Sequence, residues 1–172
     1  MRRRHPLPRI WLMTDSRMGD ALWMALHRLP RGSGIVFRHY ELPDAQRRAT
    51  LRAVHRIARR RGLTLVVAGG PDGPDGGHNR KPARGLYTRS AHNRRDIVAA
   101  KRDGADLVFV SPVFATRSHP GAAAQGPARF GLMIRDAGVP IIALGGMSAG
   151  RARRLAALKI HGWAGIDAFT SD

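Results

Sequence analysis

Two uninterrupted apolar runs in the second half of the chain constrain its fold more than any other feature. Residues 107–110 read Leu-Val-Phe-Val and residues 140–144 read Pro-Ile-Ile-Ala-Leu, and each gives way to small or turn-forming residues. An apolar run without alternation suits a strand buried on both faces, as in a parallel sheet covered by helices. In such sheets, ligands collect at the carboxyl ends of the strands. Ser-Pro-Val-Phe-Ala-Thr-Arg-Ser-His-Pro-Gly from residue 111 and Gly-Gly-Met-Ser from residue 145 stand at those ends. A site is expected there.

The remaining periodicities alternate between strand and helix. Residues 10–14 read as a strand, 20–29 as a helix with Leu22, Ala25, Leu26 and Leu29 inward, and 34–40 as a second strand. The longest predicted helix spans 43–60, with Pro43 in its first turn and Gly62 as its stop. A third strand over 63–67 ends in Ala68-Gly69-Gly70. Residues 69–84 are then Gly, Pro and Asp without an apolar period and read as loop, with 77–79 as a remnant fourth strand. A strand over 85–88 and a helix over 93–103, capped by Asn93, precede the two apolar runs, which a helix near 128–137 separates. A Ser148-capped helix to about residue 159 and a strand over 162–169 complete the series.

Strand alternating with helix demands parallel pairing and right-handed crossovers. The predicted fold is therefore α/β, a single (β/α)8 TIM-barrel-like domain over 1–172. It is degenerate, because helices are missing around strands 3–4 and after strand 8. An open doubly wound sheet is the competing arrangement. Missing helices would bare apolar strand surface, so a homodimer is expected to cover it.

Composition narrows the function classes. With 172 residues, 43% of them hydrophobic, the chain can bury a core. No stretch approaches the ~20 apolar residues of a membrane span. The basic head and short apolar segment before Asp15 do not make a signal peptide. The absence of cysteine excludes disulfides, thiol catalysis and Cys-ligated zinc. A cytoplasmic protein without a membrane partner is expected. The net charge of +18 invites a nucleic-acid reading. Against it, nearly all the positive charge is Arg, with Lys only at 81, 101 and 159, and the Arg residues are spread over several predicted helices. The run from Arg47 to Arg61 reads as the solvated face of a helix whose other face is Leu51, Val54 and Ala58. Attraction to anionic small molecules survives either way.

Several residues at the predicted strand ends suit an anion. The Gly145-Gly146 turn leads into a Ser-capped helix and offers backbone N–H groups to a phosphate; the alternative is a tight turn needing Gly for sterics alone. Thr88 and Ser90 carry hydroxyls that can donate to an anion, although Ser90 can equally help start the next helix. Ser111 is either a ligand contact or only a turn residue.

Three segments resemble the thiamine phosphate synthase family, including its thiazole tautomerase-like relatives. Residues 111–116 with 118–121 resemble the family's Gly-Pro-Val-Phe-x-Thr-x-Ser/Thr-Lys-x-Gly loop. Residues 140–147 resemble its Pro-Val-Ile-Ala-Ile-Gly-Gly-Ile/Met strand, and 87–92 resemble its Ser-Thr-His-Ser turn. The resemblance implies a transferase of thiamine biosynthesis that joins an aminopyrimidine diphosphate to a thiazole phosphate and releases pyrophosphate. It assigns Arg38, His39, Thr116 and His119 to catalysis, with Arg38 or His39 in place of a family Arg and His119 in place of a Lys that grips pyrophosphate. Thr88, Ser90, Ser111, Gly145, Gly146 and Asp167 are assigned to the phosphorylated ligand.

The departures are as specific as the matches. The resemblance implies Mg²⁺, yet the family's Asn-Asp after the third strand is Ala68-Gly69-Gly70 here, and Asp72 and Asp75 read as turn residues. No metal ligand is assigned. The family's phosphate-binding Ser at strand 8 is Asp167, a carboxylate that repels phosphate unless a cation intervenes. The alternative to an active synthase is therefore a non-catalytic or altered relative that binds a phosphorylated thiamine-related ligand in a regulatory or salvage role.

Overall fold

The apolar runs close on themselves. The computed structural model describes residues 6–116 and 124–170. Its strands are β1 (Ile10–Met13), β2 (Gly34–Phe37), β3 (Thr64–Ala68), β4 (Gly76–His78), β5 (Leu86–Ala91), β6 (Leu107–Val110), β7 (Ile141–Ala143) and β8 (Gly162–Gly165). Each pairs in parallel with the next, and β8 returns to β1 through Ile10–Trp163 and Leu12–Gly165, giving a closed barrel. The open sheet is excluded. The helices among the described residues are α1 (Ala21–Arg28), α2 (Asp44–Arg61), α3 (Arg94–Arg102), α4 (Gly126–Ile134) and α5 (Ala149–Arg154).

The two-residue period of each strand sorts its side chains. Trp11, Met13, Val36, Val66, Leu107, Phe109 and Ile142 fill the barrel interior. Trp11 meets Phe109 edge to face with centroids 5.2 Å apart, and Gly34 is required opposite, because a Cβ there would strike the Trp11 ring. Outward-facing residues of β1–β3 pack beneath α1 and α2, as in Leu12, Ile35, Leu65 with Leu26 and Val54. Those of β6 and β7 pack beneath α3 and α4, as in Val108, Ile141 with Ile97 and Phe130. Each such large side chain contributes roughly 1.5–3 kcal/mol by burial.

The helices absent around β3 and β4 have a counterpart in the strand. His78 of β4 points inward against Phe109, so Gly77 is the outward residue and has no side chain to cover. A Cβ on Gly77 would lie 2.7 Å from the Arg80 carbonyl oxygen, with Pro82 behind it. The loop itself closes this side. None of the exposed large hydrophobics among the described residues, Met24, Tyr40, Val98 and Leu132, belongs to β3, β4 or β5. Among the described residues, this side therefore shows no exposed large hydrophobic side chain of the kind that motivated the homodimer expectation.

Element ends differ from the sequence expectations where polar residues meet the barrel mouth. β5 extends to Ala91, past the expected 88, because Ser90 and Ala91 still pair with Phe109 and Val110. β8 stops at Gly165, and Asp167–Phe169 form a 3-10 turn instead of the strand expected to 169. Phe169 remains apolar because it stacks on Trp163 at 5.4 Å. α5 ends at Arg154, short of 159, and a separate 3-10 turn covers Ala156–Leu158. The predicted caps are in place: Gly62 is left-handed, Asn93 accepts the Asp96 amide, and Ser148 accepts the Arg151 amide. No helix among the described residues is long and apolar enough to cross a membrane.

Candidate functional site

A cavity of about 310 Å³ opens at the carboxyl ends of the strands. Of the residues singled out in the sequence, Arg38, Ser90, Ser111, Thr116, Gly145, Gly146 and Asp167 border it. His92 joins them, while Met13, Leu144 and Ile166 supply apolar wall. Thr88 lies fully buried beneath. His39 faces away from the cavity, stacked on Phe37 at 4.6 Å with its Nδ1 3.0 Å from the Thr14 hydroxyl. Burial holds the His39 pKa below the usual imidazole range. His119 falls outside the described residues.

Arg38 follows β2 directly, and its guanidinium is anchored on one edge. Nε donates to the Thr14 carbonyl at 3.1 Å, and Nη2 donates to Asp15 Oδ2 at 3.2 Å. Nη1 has no partner among the described residues. Arg17 holds the same carboxylate by a two-pronged contact at 2.8 Å. Hydrogen bonding from Arg17, reinforced by the charges of Arg17 and Arg38, lowers the Asp15 pKa to about 2 despite the opposing effect of burial. Asp15 thus positions Arg38 and remains an anion.

Beneath the cavity, His78 is tied at both nitrogens. Nδ1 lies 2.9 Å from Thr88 Oγ1, and Nε2 lies 3.0 Å from Ser90 Oγ. Burial lowers its pKa to about 3, so the ring is neutral and carries one proton. The Thr88 hydroxyl also reaches the Gly77 carbonyl at 3.3 Å. The tautomer protonated at Nδ1 satisfies all three contacts: Thr88 donates to Gly77, His78 donates to Thr88, and Ser90 donates to Nε2. In that arrangement Ser90 Oγ, at the cavity wall, also accepts from Asn79 Nδ2 at 3.4 Å and keeps one lone pair, and neither hydroxyl is a spare donor for an anion. Asn79 fixes Ser90 further, accepting its amide at 2.7 Å.

Gly145 and Gly146 adopt φ of +94° and +59°. A Cβ on Gly145 would lie 2.7 Å from Pro112 Cα, and one on Gly146 would strike the Ala115 carbonyl. The steric reading of these glycines is therefore correct. The amides of Gly145, Gly146 and Met147 donate to no acceptor among the described residues, and all three residues border the cavity. Their N–H groups are available to an anion. The helix that follows has only six residues, so its dipole adds little. Arg151 donates to the Gly146 carbonyl and rests 5.0 Å from the Phe114 ring centroid, which fixes the turn.

The described residues do not fit a divalent metal. Among the described residues, no group of three or more His, Asp or Glu side chains could hold one. Asp72 accepts from Arg80 at 2.8 Å and from the Ala83 amide at 2.9 Å. Asp75 accepts the Leu65 amide at 2.7 Å, at the opposite end of the barrel. At the end of β3, Arg47 donates to the Ala68 and Gly69 carbonyls at 2.6 and 2.7 Å, so a guanidinium staples the place where the resemblance implies metal ligands.

Sequence reasoning missed His78, His92 and Asp15. His78 sits in a three-residue strand of two glycines, too short for any period to show which way it points. His92 closes the 87–92 turn with no periodicity to mark it; its Nδ1 donates to the Ser111 carbonyl at 3.1 Å, tying the β5 and β6 ends together. A carboxylate five residues before the end of the α1 entry turn carries no signal until the fold brings Arg38 beside it.

A family model for thiamine monophosphate synthase matches residues 80–169. The thiamine-phosphate synthase of Geobacillus kaustophilus is 31% identical over 149 residues, covering 76% of this chain and 67% of that protein. The thiamine-phosphate synthase of Thermus thermophilus is 29% identical over 165 residues, covering 84% and 80%. Among solved structures, thiamine phosphate pyrophosphorylase from Pyrococcus furiosus superposes with a TM-score of 0.75 at 18% identity, over 92% of this chain and 85% of that one.

Proposed function

The chain belongs to the thiamine monophosphate synthase family, and from that premise we propose that its barrel binds a phosphorylated thiamine-related molecule at the strand ends without a divalent metal. The observation that carries this reading is the set of donors around one cavity: the amides of Gly145, Gly146 and Met147 together with Arg38 Nη1. Loops after strands 7 and 8 are the recurrent phosphate position of this barrel type, which is an argument from fold analogy. Phosphate oxygens on the glycine turn would accept two or three backbone N–H bonds, and Arg38 would supply the charge-assisted one. Ser90, turned to the cavity as an acceptor, suits an N–H or O–H group on the organic part of the ligand.

The family's condensation is the second reading. Departure of pyrophosphate develops concentrated negative charge, which a bound metal would neutralise. Here the cavity has Arg38 for that purpose, Asp167 as an opposing carboxylate, and no metal-binding cluster among the described residues. A ligand-binding or altered relative in thiamine biosynthesis is accordingly the reading adopted. The test supplies the purified chain with an aminopyrimidine diphosphate, a thiazole phosphate and Mg²⁺, and measures pyrophosphate, with thiamine monophosphate binding followed by calorimetry in parallel. Binding without pyrophosphate release is expected. Mg²⁺-dependent release would establish the condensation and overturn the metal-free reading.

A further inference from the structure

Basic side chains from three separate stretches meet on one face at the base of the barrel, opposite the cavity. Arg52, His55, Arg56, Arg59 and Arg60 of α2 line a shallow groove of about 460 Å³. A second groove, of about 630 Å³, shares His55 and Arg59 with the first and adds Arg9, just before β1, and Arg31, from the turn before β2. The sequence shows the run on α2 but not its convergence with Arg9 and Arg31. The one carboxylate lining either groove, Asp75, is engaged by the Leu65 amide.

Some arginines elsewhere have carboxylate partners: Arg38 pairs with Asp15, Arg80 with Asp72, Arg89 with Asp103. The six arginines of this face have no side-chain partner among the described residues. Their mutual repulsion is reduced by salt over about 8 Å and relieved fully only by an anionic partner.

We propose that this face docks the phosphate backbone of a nucleic acid, independently of sequence. Arg48, which pairs with Asp44 at 3.9 Å, and Arg52, Arg56 and Arg60, unpaired among the described residues, follow one another at four-residue spacing, so they form a ridge about 18 Å long. That is the rise of about five base steps. Arginine, which supplies almost all the charge here, grips phosphate bidentately where lysine acts as a point charge. A lipid surface is the poorer partner, because none of Met24, Tyr40, Val98 and Leu132, the exposed large hydrophobics among the described residues, lines either groove. The apolar side of α2 is already spent on the core through Val54 and Ala58.

The experiment titrates the full chain against a fluorescein-labelled oligouridylate at rising salt, reading anisotropy. Five phosphate contacts predict a slope of log K against log salt of about −3.5. The exposed triple variant R52Q/R56Q/R60Q is expected to reduce that slope by about 2. R9Q/R31Q, which leaves α2 intact, is expected to reduce it by about 1.4. R95Q/R102Q/R129Q removes the same charge from α3 and α4 on the far side of the barrel and is expected to leave the slope nearly unchanged. Equal losses in the two triple variants, with circular dichroism showing both folded, would reduce the effect to net charge and overturn the proposal. So would absence of RNA binding by a chain that binds phosphatidylserine vesicles.

Discussion

From β5 to β7 each strand is followed by a helix, and Ile97, Phe130, Ile134 and Leu155 pack in the layer between helices and barrel. From β3 to β5 the chain passes strand to strand through loops, and β4 presents Gly77 outward with Pro82 and the Arg80 carbonyl against it. Both halves close the same parallel ladder. The contrast teaches that a barrel strand needs a covering helix only where it has an outward side chain. A barrel can therefore lack covering helices on one side while keeping a cavity built mainly by the other. The cavity follows that division: Ser90, Ser111, Thr116, Gly145, Gly146 and Asp167 come from the β5–β8 half, which the family model matches. The β1–β4 half brings Arg38 and the buried His78 that orients Ser90.

The comparison can be broken most readily in the helix-covered half. Phe130→Ala should cost about 3–5 kcal/mol in urea unfolding, since it empties a fully buried site. A cost below about 1 kcal/mol would mean that α4 covers nothing essential. In the other half the largest effect should come from pH. An unfolded chain protonates His78 near the ordinary 6.5, whereas the folded chain resists until about 3. The unfolded state thus binds more protons in that window, and stability falls as pH drops from about 6.5 toward 3. His39, shifted down by burial, acts in the same direction. Asp15 adds a further loss between its ordinary 3.8 and about 2. His78→Asn should flatten the dependence of the urea midpoint on pH; an unchanged dependence would show that His78 is not the titrating group.

Arg38→Gln should weaken binding of thiamine monophosphate by roughly 10- to 100-fold, the worth of a charge-assisted hydrogen bond, while leaving the urea midpoint nearly in place. Gly77→Val restores the outward side chain that β4 lacks and should cost about 1–3 kcal/mol by overpacking. No cost would show that the loop does not close this side. Asp72→Ala, which removes contacts to Arg80 and the Ala83 amide, should cost about 1 kcal/mol or less, because that loop is largely exposed.

The sequence makes the barrel legible because its evidence is local. β6 is bounded as the apolar run implies, and Gly62, Asn93 and Ser148 cap as their chemistry requires. The far end of β5 was not legible, since Arg89 and Ser90 are polar for reasons of the site and not of the strand. Most of the mouth residues could be found because they sit in turns at strand ends. Their roles could not, because those depend on where protons go. The hydroxyls of Thr88 and Ser90 look like anion donors until His78, Gly77 and Asn79 are placed around them. The approach of Arg9 and Arg31 to the basic face of α2 was not legible either, because only the closed fold brings them there.

The central claim is that the cavity holds a phosphate by backbone amides and Arg38, with no metal. Calorimetric titration of thiamine monophosphate in EDTA and again in excess Mg²⁺ tests it most directly. The account predicts one site per chain with the same affinity in both, weakened roughly 10- to 100-fold in Arg38→Gln and lost in Gly145→Ala. Binding that appears only with Mg²⁺, or that survives both substitutions, would contradict it.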